Sequence, residues 1–280
     1  MSSSKGESPS EPQVNQQIPQ EKAVEDQANV LAAPVGLVSI VIVCCGQLEF
    51  TRLCVPSLLY HSRRPYELIF VDFGSLDGTS EYLAGVAAAA PVRVVIERSN
   101  PDRSLASACK EAIMKSWGEF IVLLNNDTIV TNDWLDQLLA LANSSAEVGV
   151  VGPMSNYASP PQRVDEVTYR LRTKTVVQNP NTVEDGSLHT MIETVDRFAR
   201  QWREQNRGKW FEAQRLDEFC LLIKREVLLK TNLFDGNSSL SIFAPNAFAI
   251  KVRKAGYHLA GCVDLFIHHF GTRTVAKADN

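Results

Sequence analysis

The apolar positions fall into short β-branched runs separated by stretches with helical spacing. Val38–Cys44 is a short, β-branched run of the kind that forms a strand buried on both faces. From Leu48 to His61, Phe50, Leu53, Cys54, Leu58 and Leu59 recur near helical spacing, and Pro56 is expected to kink or shorten that helix. Residues 67–72 form a second strand, and Thr79 offers an N-cap to a helix carrying Tyr82, Leu83 and Val86. Residues 92–97 read as strand, and residues 104–117 as a helix with Leu105, Ala108, Cys109, Ala112 and Ile113 on one side. Residues 119–124 form another strand and residues 134–142 another helix. This alternation predicts a mainly parallel, doubly wound α/β sheet with helices on both faces. Ligands in such sheets sit beyond the carboxyl ends of the strands, so Asp72 and Asn125-Asn126-Asp127 are expected to open into one cleft.

The second half is less regular. Leu188, Met191, Ile192, Val195, Phe198 and Trp202 recur at three- and four-residue steps, which predicts an amphipathic helix over 188–205 whose default role is core packing. Residues 219–223 and 263–267 read as further strands. Residues 1–34 are rich in Ser, Glu, Gln and Pro and bury too little to offset their ordering entropy, so a disordered tail is expected there.

Composition narrows the function. Hydrophobic residues make up 45% of the 280 and charged residues 21%, ordinary values for a globular protein. The net charge of -4 argues against a general nucleic-acid binder. Six cysteines without a C-x-x-C pair, mostly inside apolar runs, are expected to be buried thiols. No apolar run reaches the ~18 residues of a membrane span, and the polar N-terminus lacks a secretory core. The expectation is a soluble cytoplasmic protein, with peripheral contact at a membrane left open. A Rossmann oxidoreductase is disfavoured, because Cys45-Gly46-Gln47-Leu48 after the first strand holds no G-x-G-x-x-G loop.

The residues at the strand ends are more specific in combination than singly. A strand ending in Asp72 leads into Gly74-Ser75-Leu76-Asp77-Gly78-Thr79, and a later strand ends in Asn125-Asn126-Asp127-Thr128. Trp134-Leu135, Gly152-Pro153-Met154-Ser155-Asn156-Tyr157 and Pro161-Gln162-Arg163-Val164 follow in order. The series continues through Arg225-Glu226-Val227, Leu233-Phe234-Asp235, Ala255-Gly256-Tyr257 and His268-His269-Phe270-Gly271. This ordered set resembles glycosyltransferase family 2, in a bacterial-type branch, over about residues 35–274. The resemblance implies a GT-A fold with a nucleotide-binding half at about 35–150 and an acceptor-side half at about 151–275. It implies transfer of a sugar from a nucleotide-diphosphate sugar to a hydroxyl acceptor (glycan, lipid-linked or protein) by metal-assisted inverting displacement.

The resemblance also assigns roles. Asp72, Ser75, Asp77, Asn125 and Asn126 would bind the nucleotide. Asp127 and His268 would hold a divalent metal, Mn²⁺ or Mg²⁺, with His269 the next candidate after His268. Several positions depart from the family pattern: Gly46, Phe73, Asp102-Arg103-Ser104, Lys110 and Glu218. The acidic pair that ordinarily supplies the base falls on Ala244 and Pro245, which carry no carboxylate. Glu218, Asp217 and Asp235 are the candidate substitutes. The same departures motivate a second reading, a regulatory or nucleotide-binding module that keeps the fold without turnover.

Overall fold

A computed structural model describes residues 34–99, 104–171, 185–231 and 245–271. The expected tail up to residue 33, together with Asp102, Arg103, Asp235 and Ala244, lies outside the described residues. The strands are β1 (Val38–Cys44), β2 (Tyr66–Phe73), β3 (Val94–Ser99), β4 (Phe120–Asn125), β5 (Thr128–Ile129), β6 (Val148–Met154), β7 (Trp210–Ala213), β8 (Cys220–Lys224), β9 (His258–Phe266) and β10 (His268–His269). The helices are α1 (Leu48–His61), α2 (Thr79–Ala89), α3 (Leu105–Met114), α4 (Trp134–Ala142), α5 (Asp185–Asn206), α6 (Arg225–Lys230) and α7 (Pro245–Lys254).

Eight strands form one sheet in the order β3-β2-β1-β4-β8-β6-β9-β7, and β5 and β10 form a small second sheet. The β3-β2-β1-β4 half is parallel, as the strand and helix alternation requires. Antiparallel β8 then joins β4 to β6, β9 runs parallel to β6, and antiparallel β7 closes the edge. All seven residues of β1 are buried, and alternate side chains serve opposite faces. Val38, Ile40, Ile42 and Cys44 pack with Cys54 and Leu58 of α1, Leu83 of α2 and Trp134 of α4. Val41 and Val43 pack with Cys109 and Ile113 of α3, Val227 of α6 and Phe248 of α7. Each fully buried large side chain contributes roughly 1.5–3 kcal/mol, so both layers are needed to hold the central strands dry.

Local departures from expectation have physical causes. Helix α1 runs through Pro56 to His61 without shortening, because the buried Leu53, Cys54, Val55 and Leu58 flank the proline and hold the helix on the sheet. Thr79 is the first helical residue rather than the cap. Gly78, at φ 89°, occupies the N-cap position, and the Thr79 hydroxyl donates to Asp77 at 2.6 Å. Helix α5 buries Met191, Ile192, Val195, Phe198 and Ala199 against Phe266, Ile129 and Leu53. Its apolar stripe is core. Five of the six thiols are buried and Cys45 is partly exposed. Among the described residues no helix is long and apolar enough to cross a membrane.

Candidate functional site

The parallel register sets the site. Cys44 of β1 lies beside Asp72 of β2, and Val43 beside Asn125 of β4, so the turns after β1, β2 and β4 all emerge at one end of the sheet. The expected polar residues there bond largely to one another. Asp72 is buried and accepts the Ser75 N–H at 3.2 Å and the Ser80 hydroxyl. Ser75 accepts the Gly46 N–H at 2.8 Å, across the gap between the β1 and β2 turns. One oxygen of Asp77 accepts the Leu48 N–H at 2.9 Å, at the start of α1, where helix N–H groups lack intrahelical partners. Partial burial works against ionisation of Asp77, but bonds from Thr79 and from the Leu48 and Thr79 amides outweigh it and hold the carboxyl below its usual range.

Asn126 is also committed. Its amide donates to the Gly46 carbonyl at 3.2 Å and to Thr51 Oγ1 at 2.8 Å, tying the end of β4 to the first turn of α1. Asp72, Ser75, Asp77 and Asn126 thus tie together the turns after β1, β2 and β4. Asn125, by contrast, lines a cleft of about 520 Å³ with Tyr157, Arg163, Asp217, Glu218 and His269. A groove of about 580 Å³, lined by Arg64, Asp136 and Trp210, includes the turn leading into β2 and therefore lies toward the opposite strand ends.

Asp127 follows β4 and is 1% exposed at its side chain. The two-residue strand β5 comes next, and β10 pairs with it antiparallel, His269 opposite Thr128 and His268 opposite Ile129. The Phe270 N–H donates to the Asp127 carbonyl at 2.9 Å, completing the junction. Adjacent strand residues face opposite ways, so the two histidines part company. His268 turns its Nδ1 to the Tyr169 hydroxyl at 2.7 Å. Burial above all, with a contribution from His269, pushes its pKa down to about 3 and keeps the ring neutral. His269 Nε2 lies 3.2 Å from Asp127 Oδ1. The sequence favours His268 as the partner of Asp127, and the structure brings His269 there instead.

The geometry of His269 suits a cation. Its Nδ1 lies 2.9 Å from the Tyr157 carbonyl, which only accepts, so Nδ1 carries a proton. In the neutral ring Nε2 then presents a lone pair toward a carboxylate oxygen. Two facing acceptors at that distance are reconciled by a shared cation or by protonation of the ring. Oxygen and imidazole donors together fit a divalent first-row ion. Among the described residues no group of three or more His, Cys, Asp or Glu side chains is placed to hold a metal ion, so a bound ligand would have to supply the remaining donors.

Glu218 lines the same cleft as His269. Burial first, then the neighbouring Asp217, with Arg215 opposing, pushes its carboxyl up to about 7. Asp217 instead accepts the Ser159 N–H, and its own N–H donates to Gln162 at 2.7 Å. Pro245 opens α7, where its missing N–H costs nothing. Sequence reasoning gave no role to Asn156, Tyr157 or Phe219. Asn156 and Tyr157 lie in a quoted motif, but only the fold shows that they meet His269.

Comparison with known proteins follows the same lines. The family model described as glycosyl transferase family 2 matches residues 39–228. An uncharacterized protein, y4gI, from Sinorhizobium fredii (strain NBRC 101917 / NGR234) is 28% identical over 224 residues, covering 79% of this chain and 23% of the relative. The chain therefore spans about a quarter of that relative's length. Among solved structures, a mannosyltransferase of Pyrobaculum calidifontis in complex with GDP-Man and Mn²⁺ superposes with a TM-score of 0.56 at 16% identity, covering 91% of this chain and 65% of the other. GalNAc-T7 with UDP, GalNAc and Mn²⁺ gives 0.55 at 16% identity, covering 83% and 43%. Staphylococcus aureus TarS 1-349 in complex with UDP-GlcNAc gives 0.51 at 11% identity, covering 82% and 57%. These likenesses show the GT-A fold, and the family match over more than half of the chain shows that it belongs to glycosyl transferase family 2.

Proposed function

We propose that this chain transfers a sugar from a nucleotide-diphosphate sugar to a hydroxyl acceptor with the help of Mn²⁺ or Mg²⁺. The observation that carries the reading is the pairing of Asp127 with His269, whose ring lines a cleft that also contains Glu218. The division into a nucleotide-binding half at about 35–150 and an acceptor-side half at about 151–275 belongs to the same proposal.

Asp127 and His269 would hold the ion, which when bound neutralises the departing diphosphate as a Lewis acid. The chain's own residues do the rest. The Tyr157 carbonyl keeps the His269 proton on Nδ1, leaving Nε2 as the donor atom. Asp72, Ser75, Asp77 and Asn126 hold the turns after β1, β2 and β4 in fixed relation, so the donor meets a formed surface. Glu218, with its pKa near neutrality, is poised to take the acceptor's proton as the new bond forms. The carboxylates absent at Ala244 and Pro245 motivate the regulatory reading, and Glu218 supplies a carboxylate in their place. A carboxylate base is consistent with an inverting displacement.

The test is release of nucleoside diphosphate from a panel of nucleotide sugars, with Mn²⁺ and with EDTA, in the presence and absence of hydroxyl acceptors. Metal-dependent release that acceptors accelerate, with the acceptor-stimulated part cut about 10²–10⁴-fold by Glu218→Gln, is the expected result. No release from any donor would sink the enzymatic reading.

A further inference from the structure

His269 is held by more than its own strand. The β6 and β9 ladder ends where Met154 meets Phe266 and the Ile267 N–H donates to the Met154 carbonyl at 3.0 Å. Beyond that point the β6 chain turns away, and Ser155 bonds instead to the loop at Gln162 and Val164. Asn156 then makes up for the lost ladder with its side chain. Its Oδ1 accepts the His269 N–H at 2.9 Å, and its Nδ2 donates to the His269 carbonyl at 2.9 Å. The carboxamide stands in for a peptide group, satisfying both main-chain groups of one residue. The next residue, Tyr157, accepts the His269 Nδ1 proton through its carbonyl. Phe219 stacks on the imidazole at 5.1 Å and 15°.

We propose that Asn156 is the positioning residue for the metal-binding imidazole, an inference that rests on the reading of Asp127 and His269 as ion ligands. It fixes the main chain of His269 in register with the Tyr157 carbonyl, so backbone and ring are oriented by two consecutive residues. A side-chain amide is required there. Aspartate keeps the acceptor but has no donor, and alanine has neither. The partner of a ligand imidazole's second ring nitrogen, the place the Tyr157 carbonyl takes here, is typically worth about 10–100-fold in metal affinity. Asn156 acts through that partner by holding the His269 main chain against it.

The test uses Mn²⁺ as the probe, with UDP present or absent, on the full chain. Mn²⁺ affinity is measured by titration, and electron spin-echo modulation of the bound ion reports coupling to an imidazole ¹⁴N. Gln162→Ala serves as the structural control. Its buried side chain ties the same loop to Pro153 and Asp217 without a bond to His269. The natural protein should bind Mn²⁺ with a ¹⁴N signal that His269→Ala removes, and Asp127→Ala should abolish binding. If those results fail, the metal reading falls and this proposal with it. If they hold, Asn156→Ala should raise the dissociation constant about 10–100-fold and weaken the ¹⁴N modulation, while Gln162→Ala leaves both unchanged. Natural affinity and modulation in Asn156→Ala would overturn the role of Asn156 alone. Should alanine at 156 not fold, Asn156→Asp carries the same comparison, with intermediate weakening expected and natural behaviour overturning it.

Discussion

The ring of Phe219 lies stacked on that of His269, 5.1 Å between centroids, and both line one cleft with the residue before Phe219, Glu218. Strand β8 carries this arrangement. It runs antiparallel to β4, and the Asn125 N–H donates to the Phe219 carbonyl at 2.9 Å, so the approach to β8 and the end of β4 meet at the site. A base at 218 would therefore be positioned by the sheet.

That placement predicts the pH dependence of transfer. The carboxylate is the active form of a base, and the Glu218 pKa is pushed up to about 7, mainly by burial. Activity should rise from pH 6 to pH 8, and Glu218→Gln should cut transfer about 10²–10⁴-fold while leaving donor binding intact. Stability should move the opposite way. A carboxyl whose folded pKa is raised binds protons more tightly in the native state, so its contribution falls as pH rises from about 4.5 to about 7. Glu218→Gln should thus raise the melting temperature at pH 8 and change it little at pH 4. A natural enzyme with a flat rate between pH 6 and 8 would remove Glu218 from the base role.

Asp77 makes a different prediction because its bonds are internal. Removing it strips the Leu48 N–H and the Thr79 groups of their acceptor. Asp77→Ala should cost about 1–2 kcal/mol of stability, as lost helix caps and charge-assisted bonds do. The folded pKa is depressed, so the contribution is present above the unfolded value near 3.8 and is lost as pH falls through the folded value. Thermal melts of the natural protein and Asp77→Ala should differ at pH 7 and converge on acidification below about 4. A gap that persists undiminished at low pH would show that ionisation of Asp77 plays no part.

Gly118 tests the packing at the other end of β1. Its N–H donates to Ser39 Oγ at 2.8 Å, and a Cβ there would sit 2.6 Å from the Ser39 main-chain nitrogen. The obstacle is backbone of a central strand, which cannot swing aside. Gly118→Ala should destabilise by about 1–3 kcal/mol, the usual range for an overpacked interior. Urea unfolding measures this, and an unchanged midpoint would mean the strand yields.

The first half of the fold was legible because β1, β2 and β4 are dominated by β-branched and other apolar residues and their helices carry apolar stripes. The second half hid β6 within Val148–Met154, where Gly149, Gly152 and Pro153 interrupt the strand pattern, and the register of β9 shifts around them. Strand β7 is short and lies at the edge with Trp210 exposed, so little periodicity marks it. At the site, the strand-terminal carboxylates were visible as residue types. Their commitments were not, because the bonds linking Gly46 to Ser75 and Leu48 to Asp77 span 29 positions. The choice between His268 and His269 turned on the parity of a two-residue strand, which sequence spacing does not reveal.

The most direct measurement of the central claim is calorimetry of UDP and GDP binding with and without Mn²⁺, on the natural protein, Asp127→Ala and His269→Ala. The account predicts that at least one nucleotide binds the natural protein only when Mn²⁺ is present. Asp127→Ala should lose that binding and His269→Ala should weaken it. Equal binding by all three proteins with and without Mn²⁺ would contradict the account.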